Sequence, residues 1–507
     1  MNTGDGSRTL AIGIDAAEGA LVRRLIDEGE LPALKSLLGA GGSGRWLSVR
    51  STAHIGSGTV WPTFITGDEP TSHGVYSEWR WRPETMTLTR YDGRHLTPFW
   101  KPLTERGIPV GVFDVPFALP VGVSSGFEVS EWWAHDSTAG GLQAGPDDIL
   151  ALVKQSPPHP LSANRFVNAT PDRQGDLRAL TAASVEGVRL RGMLARRLIA
   201  DTRPRLSLMV FPEIHHAGHQ MWHTIEPDHQ VYSGRTFNGR QALDPLLKDV
   251  YRAVDRQIGE IVESTRPETV MVFALHGMRP AVGFPAFLGP LLTERGFSRL
   301  ATWSSQSWTG RAASLLAATK RHTPDELRKL YYRMTPTSAT HALARPTMIP
   351  VYDWRHTRAF ALPTDQYGWI RINLMGREAQ GCVPANEYED TCRQLEALLR
   401  GLVDQEGRAL AQDVIRTAAD AGSALGNPLP DLVVRWQFAA FASPLRIRDS
   451  RVQAALVGRK STGQHASEGF CIYRSRRPWG ADGVVAAKDL GRVMTASLEA
   501  QTHPLRQ

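Results

Sequence analysis

The chain has 507 residues, enough for one large α/β domain with insertions or for two or three smaller domains. With 42% hydrophobic and 21% charged residues, 14 Trp and 33 Pro, it has the composition of a folded protein, which excludes disorder as the default state. The net charge of +7 is small against 58 basic and 51 acidic residues, and no run of Lys or Arg accompanies it. No nucleic-acid partner is therefore expected, only a mild attraction for anionic substrates. Cys382, Cys392 and Cys471 match neither a zinc ribbon nor a CxxC pair, and their odd number argues against a disulfide framework. The opening residues lack the pattern of a signal peptide, and no segment has the apolar length of a membrane span. The sequence thus predicts a cytoplasmic setting with no membrane partner.

In chain order, TLAIGID (9–15) is an apolar run ending in a polar residue, the form of a buried parallel strand. LVRRLIDEGELPALKSLL (21–38) has helical spacing broken at Gly-Glu-Leu-Pro. IPVGVFDV (108–115), RLSLMVF (205–211) and TVMVFAL (269–275) are further buried strands, with helical stretches at 177–200 and 245–265 between them. This alternation predicts an α/β fold with a mainly parallel central sheet flanked by helices, its functional residues gathered at the strands' carboxyl ends. Residues 279–360 are less regular and read as an inserted cap. GWIRINLMGRE (368–378), a helix near 386–404 and PDLVVRW (430–436) then resume the rhythm. The expected organisation is a discontinuous core, 8–278 and 361–490, interrupted by a cap or lid at 279–360.

Five of the 16 histidines fall between His215 and His229, directly after the strand 205–211. His215 and His219 are four apart, so on a helix their imidazoles share a face and could bind one divalent cation. A surface helix rich in histidine is the plainer alternative, and the position after a buried strand favours ligands. His276 follows the strand 269–275 and precedes a glycine, which suits a ligand, an acid/base group or a turn residue. His465 sits in the Gly-flanked loop STGQHASEG, and Asp15 ends the first strand, where it could equally cap a helix. The segment 53–75 carries Ser57, Thr59, Thr63 and Thr66 on a Gly-rich turn. Such a hydroxyl can be a nucleophile when a metal lowers its pKa, or simply cap a helix.

Taken in order, these pieces resemble one family. GIDAAEGALVRRLIDEGELPALKSLLGAGGSG is similar to the opening of the type I phosphodiesterase/nucleotide pyrophosphatase branch of the alkaline phosphatase superfamily. VWPTFITGDEPTSHGV resembles its W-(T/S)-x-x-TG-x-x-P-x-x-HG block, LHGM its DHGM block, and STGQH its final ligand block. The resemblance implies an alkaline phosphatase-like fold and a metal-dependent hydrolase of phosphodiesters or phosphomonoesters, acting on a small anionic ester. It further implies one or two divalent ions, zinc by preference. Asp15 and His276 would bind one ion, and His215, His219 and His465 the other. Ser57 falls at the nucleophile's position, with Thr59 as its rival. The implied chemistry is in-line attack by the activated hydroxyl, a covalent phospho-enzyme and then hydrolysis.

The sequence departs from the family twice: position 215 is His where the family has Asp, and Leu275 stands where a carboxylate ligand precedes the histidine. The histidine-rich site is therefore expected to be the fuller one, with Glu213 or His216 as conceivable substitutes in the other. Alternative readings are a sulfate or phosphonate ester hydrolase, a phosphoryl transferase, or a metal-stabilised binding protein without turnover. The C/S-x-P-x-R motif of sulfatases is missing near Ser57. Trp81 and Trp303 could contact a substrate ring or pack the cap's own core.

Overall fold

The computed structural model describes residues 8–39, 44–133, 141–163, 173–232, 243–281, 284–302 except 286, 348–437 except 365, 445–457 except 455, 461–475 and 483–499, with single positions at 311, 315 and 319. The chain divides into two compact units. One comprises residues 1–73, 92–280 and 460–507, the other 74–91 and 281–459.

The first unit is built on a nine-stranded sheet. Its centre is β1 (Thr9–Ile14), flanked in parallel by β2 (Leu206–Phe211) on one side and β3 (Thr269–Ala274) on the other. Val110–Phe113 and Gly126–Ser130 continue the parallel run beyond β2. Beyond β3, Glu468–Ser475 pairs antiparallel and leads to Gly44–Arg50 and Val484–Ala486. The mainly parallel sheet anticipated from the alternating pattern is thus present. Every residue of β1, β2 and β3 is buried, as continuous apolar runs covered on both faces must be. Side chains such as Ile12, Phe211 and Val272 join one core, each burial worth roughly 1.5–3 kcal/mol.

Helices close over this sheet where the sequence supplies an apolar stripe. The predicted break in 21–38 is real: Gly29, at φ +80°, ends the helix Gly19–Asp27, and Pro32 opens the next, where its missing N–H costs nothing. The elements needed for the site are α1 (Val60–Thr66), α2 (Gln174–Thr202), α3 (Glu213–Met221) and α4 (Pro245–Thr265). Among the described residues no helix is long and apolar enough to cross a membrane.

The second unit has its own four-stranded antiparallel sheet, in the order Ala359–Leu362, Tyr367–Ile372, Leu432–Trp436 and Ala411–Arg416, with the helix Ala385–Arg400 contributing Tyr388, Leu395 and Leu399 to its core. This differs from the expected boundaries. The stretches 368–378 and 430–436 do not rejoin the central sheet, and residues 361–459 belong with 281–360 rather than with the first unit. A buried strand reads alike in a parallel or an antiparallel sheet, so periodicity could not separate the two. Most of 303–347, including Trp303, lies outside the described residues. Trp81 is buried in the second unit, donates its indole N–H to Glu378 at 2.7 Å and packs against Phe360.

Candidate metal centre

The carboxyl ends of β1, β2 and β3 are in register, Ile14 opposite Phe211 and Gly13 opposite Phe273, so the residues just beyond them share one edge. Asp15 follows β1, α3 begins two residues after β2, and His276 follows β3 by two residues. His465 arrives from far along the chain on β4 (Gly463–Ala466), which pairs antiparallel with Gly277–Pro280 and sets His465 opposite Met278. Asp15, His215, His276 and His465 are all buried, while His219 is half-buried.

Three imidazole nitrogens converge here. His215 Nε2 lies 3.0 Å from His219 Nε2 and 2.7 Å from His465 Nε2, and His219 Nε2 lies 3.0 Å from His465 Nε2. The far side of two of these rings decides what the convergence means. His215 Nδ1 is 2.5 Å from Asp15 Oδ2, and His219 Nδ1 is 2.8 Å from the carbonyl of Gly463. A carboxylate and a carbonyl accept, so both Nδ1 atoms carry a proton, and a neutral ring so held presents its Nε2 lone pair inward. Two lone pairs 3.0 Å apart repel unless something positive stands between them. A closed triangle of three such nitrogens cannot be satisfied by N–H···N bonds alone, since each Nε2 either donates or accepts. The arrangement is complementary to a cation, held in the way that carboxylate and carbonyl partners usually hold metal-binding histidines. His276 adds a looser option: one ligand atom each from His215, His276 and His465 lies within 4.8 Å of the others, so this trio too could hold a metal ion.

The remaining histidines of the 215–229 cluster are scaffolding. His229 Nε2 donates to the Thr462 carbonyl at 2.8 Å, and His223 Nδ1 lies 2.9 Å from the Thr462 hydroxyl. Together with the bond from Thr462 N to the His219 carbonyl, these fix the loop that delivers Gly463 and His465. Gly463 itself is required: a Cβ there would sit 2.3 Å from the Gly218 carbonyl, so only glycine lets β4 approach α3 this closely. His216 packs edge-on against Trp133.

Glu213 is no substitute ligand. Its Oε1 accepts from Arg191 Nε at 2.7 Å and stands 3.1 Å from His159 Nε2, while Arg191 also donates to Asp114 Oδ2 at 2.8 Å and to the Trp133 carbonyl at 3.1 Å. Burial alone would raise the Glu213 pKa, but the Arg191 guanidinium and the His159 ring outweigh it and hold the carboxyl below the usual range. This buried cluster ties the start of α3 to α2 and to the end of Val110–Phe113. It left no mark in the sequence, because an arginine within a helical stretch reads as an exposed one.

On the hydroxyl turn, Ser57 and Thr59 occupy different environments. Thr59 is fully buried, its Oγ1 within 2.7–2.9 Å of the Gly56 carbonyl, the Thr52 carbonyl and the Thr52 hydroxyl. Ser57 is half-buried at the first position of the 3-10 turn Ser57–Thr59 that feeds α1. Trp61, which the sequence marked only as the first residue of its motif block, links this turn to the edge of the sheet by donating its indole N–H to Asp15 Oδ1 at 2.9 Å. Thr63 of α1 lies 3.0 Å from His73 Nε2, and burial pushes that imidazole down to about 4. Asp15 and His276 approach only to 3.9 Å, and Leu275 is buried beside them with no ligand atom.

No curated protein is similar to the chain in sequence. Among solved structures, phosphonoacetate hydrolase from Sinorhizobium meliloti 1021 in complex with phosphonoacetate is 16% identical with a TM-score of 0.51, covering 97% of this chain and 96% of that one, and so shares the fold. Murine ectonucleotide pyrophosphatase/phosphodiesterase 5, as an inactive variant in complex with AMP, is 11% identical with a TM-score of 0.46, covering 97% and 95%. The family of type I phosphodiesterases and nucleotide pyrophosphatases matches residues 9–434, a span that takes in β1, the hydroxyl turn, α3 and His276. With the match covering most of its length, the chain belongs to the type I phosphodiesterase/nucleotide pyrophosphatase family and is a phosphoester hydrolase.

Proposed function

We propose that the chain hydrolyses a small anionic phosphate ester with the help of a divalent cation, zinc by preference, held by His215, His219 and His465, and that Ser57 supplies the nucleophile. The observation that carries this reading is the convergence of three imidazole nitrogens within 2.7–3.0 Å, two of them with the lone pair fixed inward by Asp15 and Gly463. A cation there would neutralise a phosphoryl oxygen and lower the pKa of an oxygen nucleophile. The three histidines would hold that charge at the sheet edge, with Asp15 orienting His215 from behind. The link from Asp15 through Trp61 to α1 keeps the hydroxyl turn attached to the same edge. Ser57 is favoured over Thr59 because the Thr59 hydroxyl is buried in contacts that shape the turn, whereas Ser57 is partly open. Ser57 Oγ would bond to phosphorus as the ester P–O bond breaks, its proton ending on the departing oxygen. Water would then displace the serine and release phosphate or a phosphomonoester.

The phosphonoacetate bound by the Sinorhizobium enzyme is a small anion of the kind proposed, and the chain's modest positive charge suits one. A reducing, cytoplasmic setting belongs to the same proposal, supported by Cys392 and Cys471 being buried free thiols.

The test is turnover of an aryl phosphodiester and an aryl phosphomonoester before chelation, after it, and after return of zinc. Activity should vanish with the metal and return with it. Ser57→Ala should lower kcat by roughly three orders of magnitude or more, as loss of a nucleophile does. Undiminished turnover in Ser57→Ala would remove the serine from its role, and activity indifferent to chelation would remove the metal.

A further inference from the structure

The family resemblance implies one or two ions, and the residues on this edge fit two positions unequally. In the histidine triangle, tetrahedral ligands at 2.0–2.1 Å from zinc stand about 3.3 Å apart, so the three nitrogens need to open by only a few tenths of an ångström. The second position is poor. Asp15 Oδ2 is bonded to His215 Nδ1 and Oδ1 to Trp61 Nε1, so each oxygen already orients a neighbour. Leu275 offers only hydrocarbon, and Glu213 is locked to Arg191. The grouping of potential ligands that includes His276 shares His215 and His465 with the triangle, so it does not supply an independent second site.

We infer that this chain carries a mononuclear centre: one divalent ion on His215, His219 and His465, with Asp15 acting as the carboxylate that orients His215 and not as a ligand. The inference rests on the proposed metal-dependent reading and narrows it. The trio containing His276 is the competing arrangement. Its ligand atoms are held only to within 4.8 Å of one another, against 2.7–3.0 Å for the triangle, and it leaves His219 outside the coordination shell although its Nε2 lies 3.0 Å from those of both His215 and His465. Three protein nitrogens in a four-coordinate shell leave one place for an exogenous ligand, which an anionic ester or water can take. Asp15 raises the basicity of His215 and fixes its ring, a contribution that lies in affinity and not in stoichiometry.

Cobalt(II) titrated into the metal-free full-length chain, with stoichiometry from elemental analysis and coordination from the visible spectrum, tests this without any assay of turnover. The expected result is one ion per chain with the intense bands of a four-coordinate site. Asp15→Asn should still bind one ion, with affinity lowered about 10–100-fold. His219→Ala should bind more weakly still and lose the four-coordinate spectrum, while His276→Ala should keep both stoichiometry and spectrum. Two ions in the wild type, falling to one in Asp15→Asn, would overturn the mononuclear centre and leave the hydrolase reading standing. Loss of the ion in His276→Ala with retention in His219→Ala would move the site to the other trio. A wild-type chain that binds no cobalt would overturn both this inference and the metal-dependent reading. The wild-type stoichiometry decides between one ion and two even if a variant fails to fold.

Discussion

Two buried polar clusters share the helix α3 and answer burial in opposite ways. Around Glu213, a guanidinium and an imidazole meet two carboxylates and a backbone carbonyl, so the group carries its own positive charge, and only Glu213 Oε2 among its named atoms is left without a hydrogen bond. Around His215 and His219, acceptors placed behind the rings turn two Nε2 atoms toward each other, an arrangement that the proposed cation would complete. Histidine and acid content would not tell them apart. The difference lies in where positive charge comes from: Arg191 brings it to the first cluster, whereas in the second the surrounding fold holds like nitrogens toward one another, and that is how a candidate binding site in a folded core is recognised.

The comparison breaks most visibly at Arg191. Arg191→Met would leave Glu213 and Asp114 buried without their cation, and a loss of about 3–5 kcal/mol in unfolding free energy is expected from urea denaturation. A loss under about 1 kcal/mol would mean that Arg191 does not hold the two carboxylates as the geometry describes.

His73 gives the next largest effect and a pH signature. Its folded pKa near 4 lies below the ordinary histidine value of 6.5, so between those values the unfolded chain binds a proton that the folded chain does not. Stability should therefore fall as pH drops from about 6.5 to about 4, by up to roughly 3 kcal/mol from this group, with no further contribution from it below pH 4. His73→Asn should flatten the stability profile over that window, whereas an unchanged slope would assign it to other groups.

The smallest effect sharpens the comparison from the other side. In metal-free chain, His219→Ala should change stability by no more than about 1 kcal/mol, because it removes one of two opposed lone pairs. The Gly463 carbonyl, which would lose the His219 N–H, keeps a donor in the Ser461 hydroxyl at 2.7 Å. With saturating zinc the wild type should gain about 2.7 kcal/mol at a hundredfold excess over Kd, and the variant should lose most of that gain. Thermal denaturation with and without zinc measures both numbers. A large metal-free loss would mark His219 as scaffold.

Much of the candidate site was legible because its residues sit where strands end. Asp15 and His276 followed apolar runs that could only be buried strands, and the i,i+4 spacing of His215 and His219 survives in α3 as one shared face. His465 could be matched only by its motif, since it reaches the others through an antiparallel pairing with Gly277–Pro280 that no local pattern encodes. The roles within the set were less visible. Asp15 turned out to stand behind His215, Glu213 faced Arg191, and His223 and His229 served Thr462, because a side chain's partner depends on what the rest of the chain brings to it.

By itself the sequence determined the local elements, their alternation, the parallel centre of the sheet and the edge on which chemistry gathers, all of which follow from periodicity and the covering of apolar runs. Only the tertiary structure decided that 361–459 forms a separate unit with 281–360 and 74–91, and which nitrogen of His215 and of His219 faces inward. Strand pairing and proton placement are both settled by contacts between residues far apart in sequence, and those contacts exist only once the chain has closed on itself.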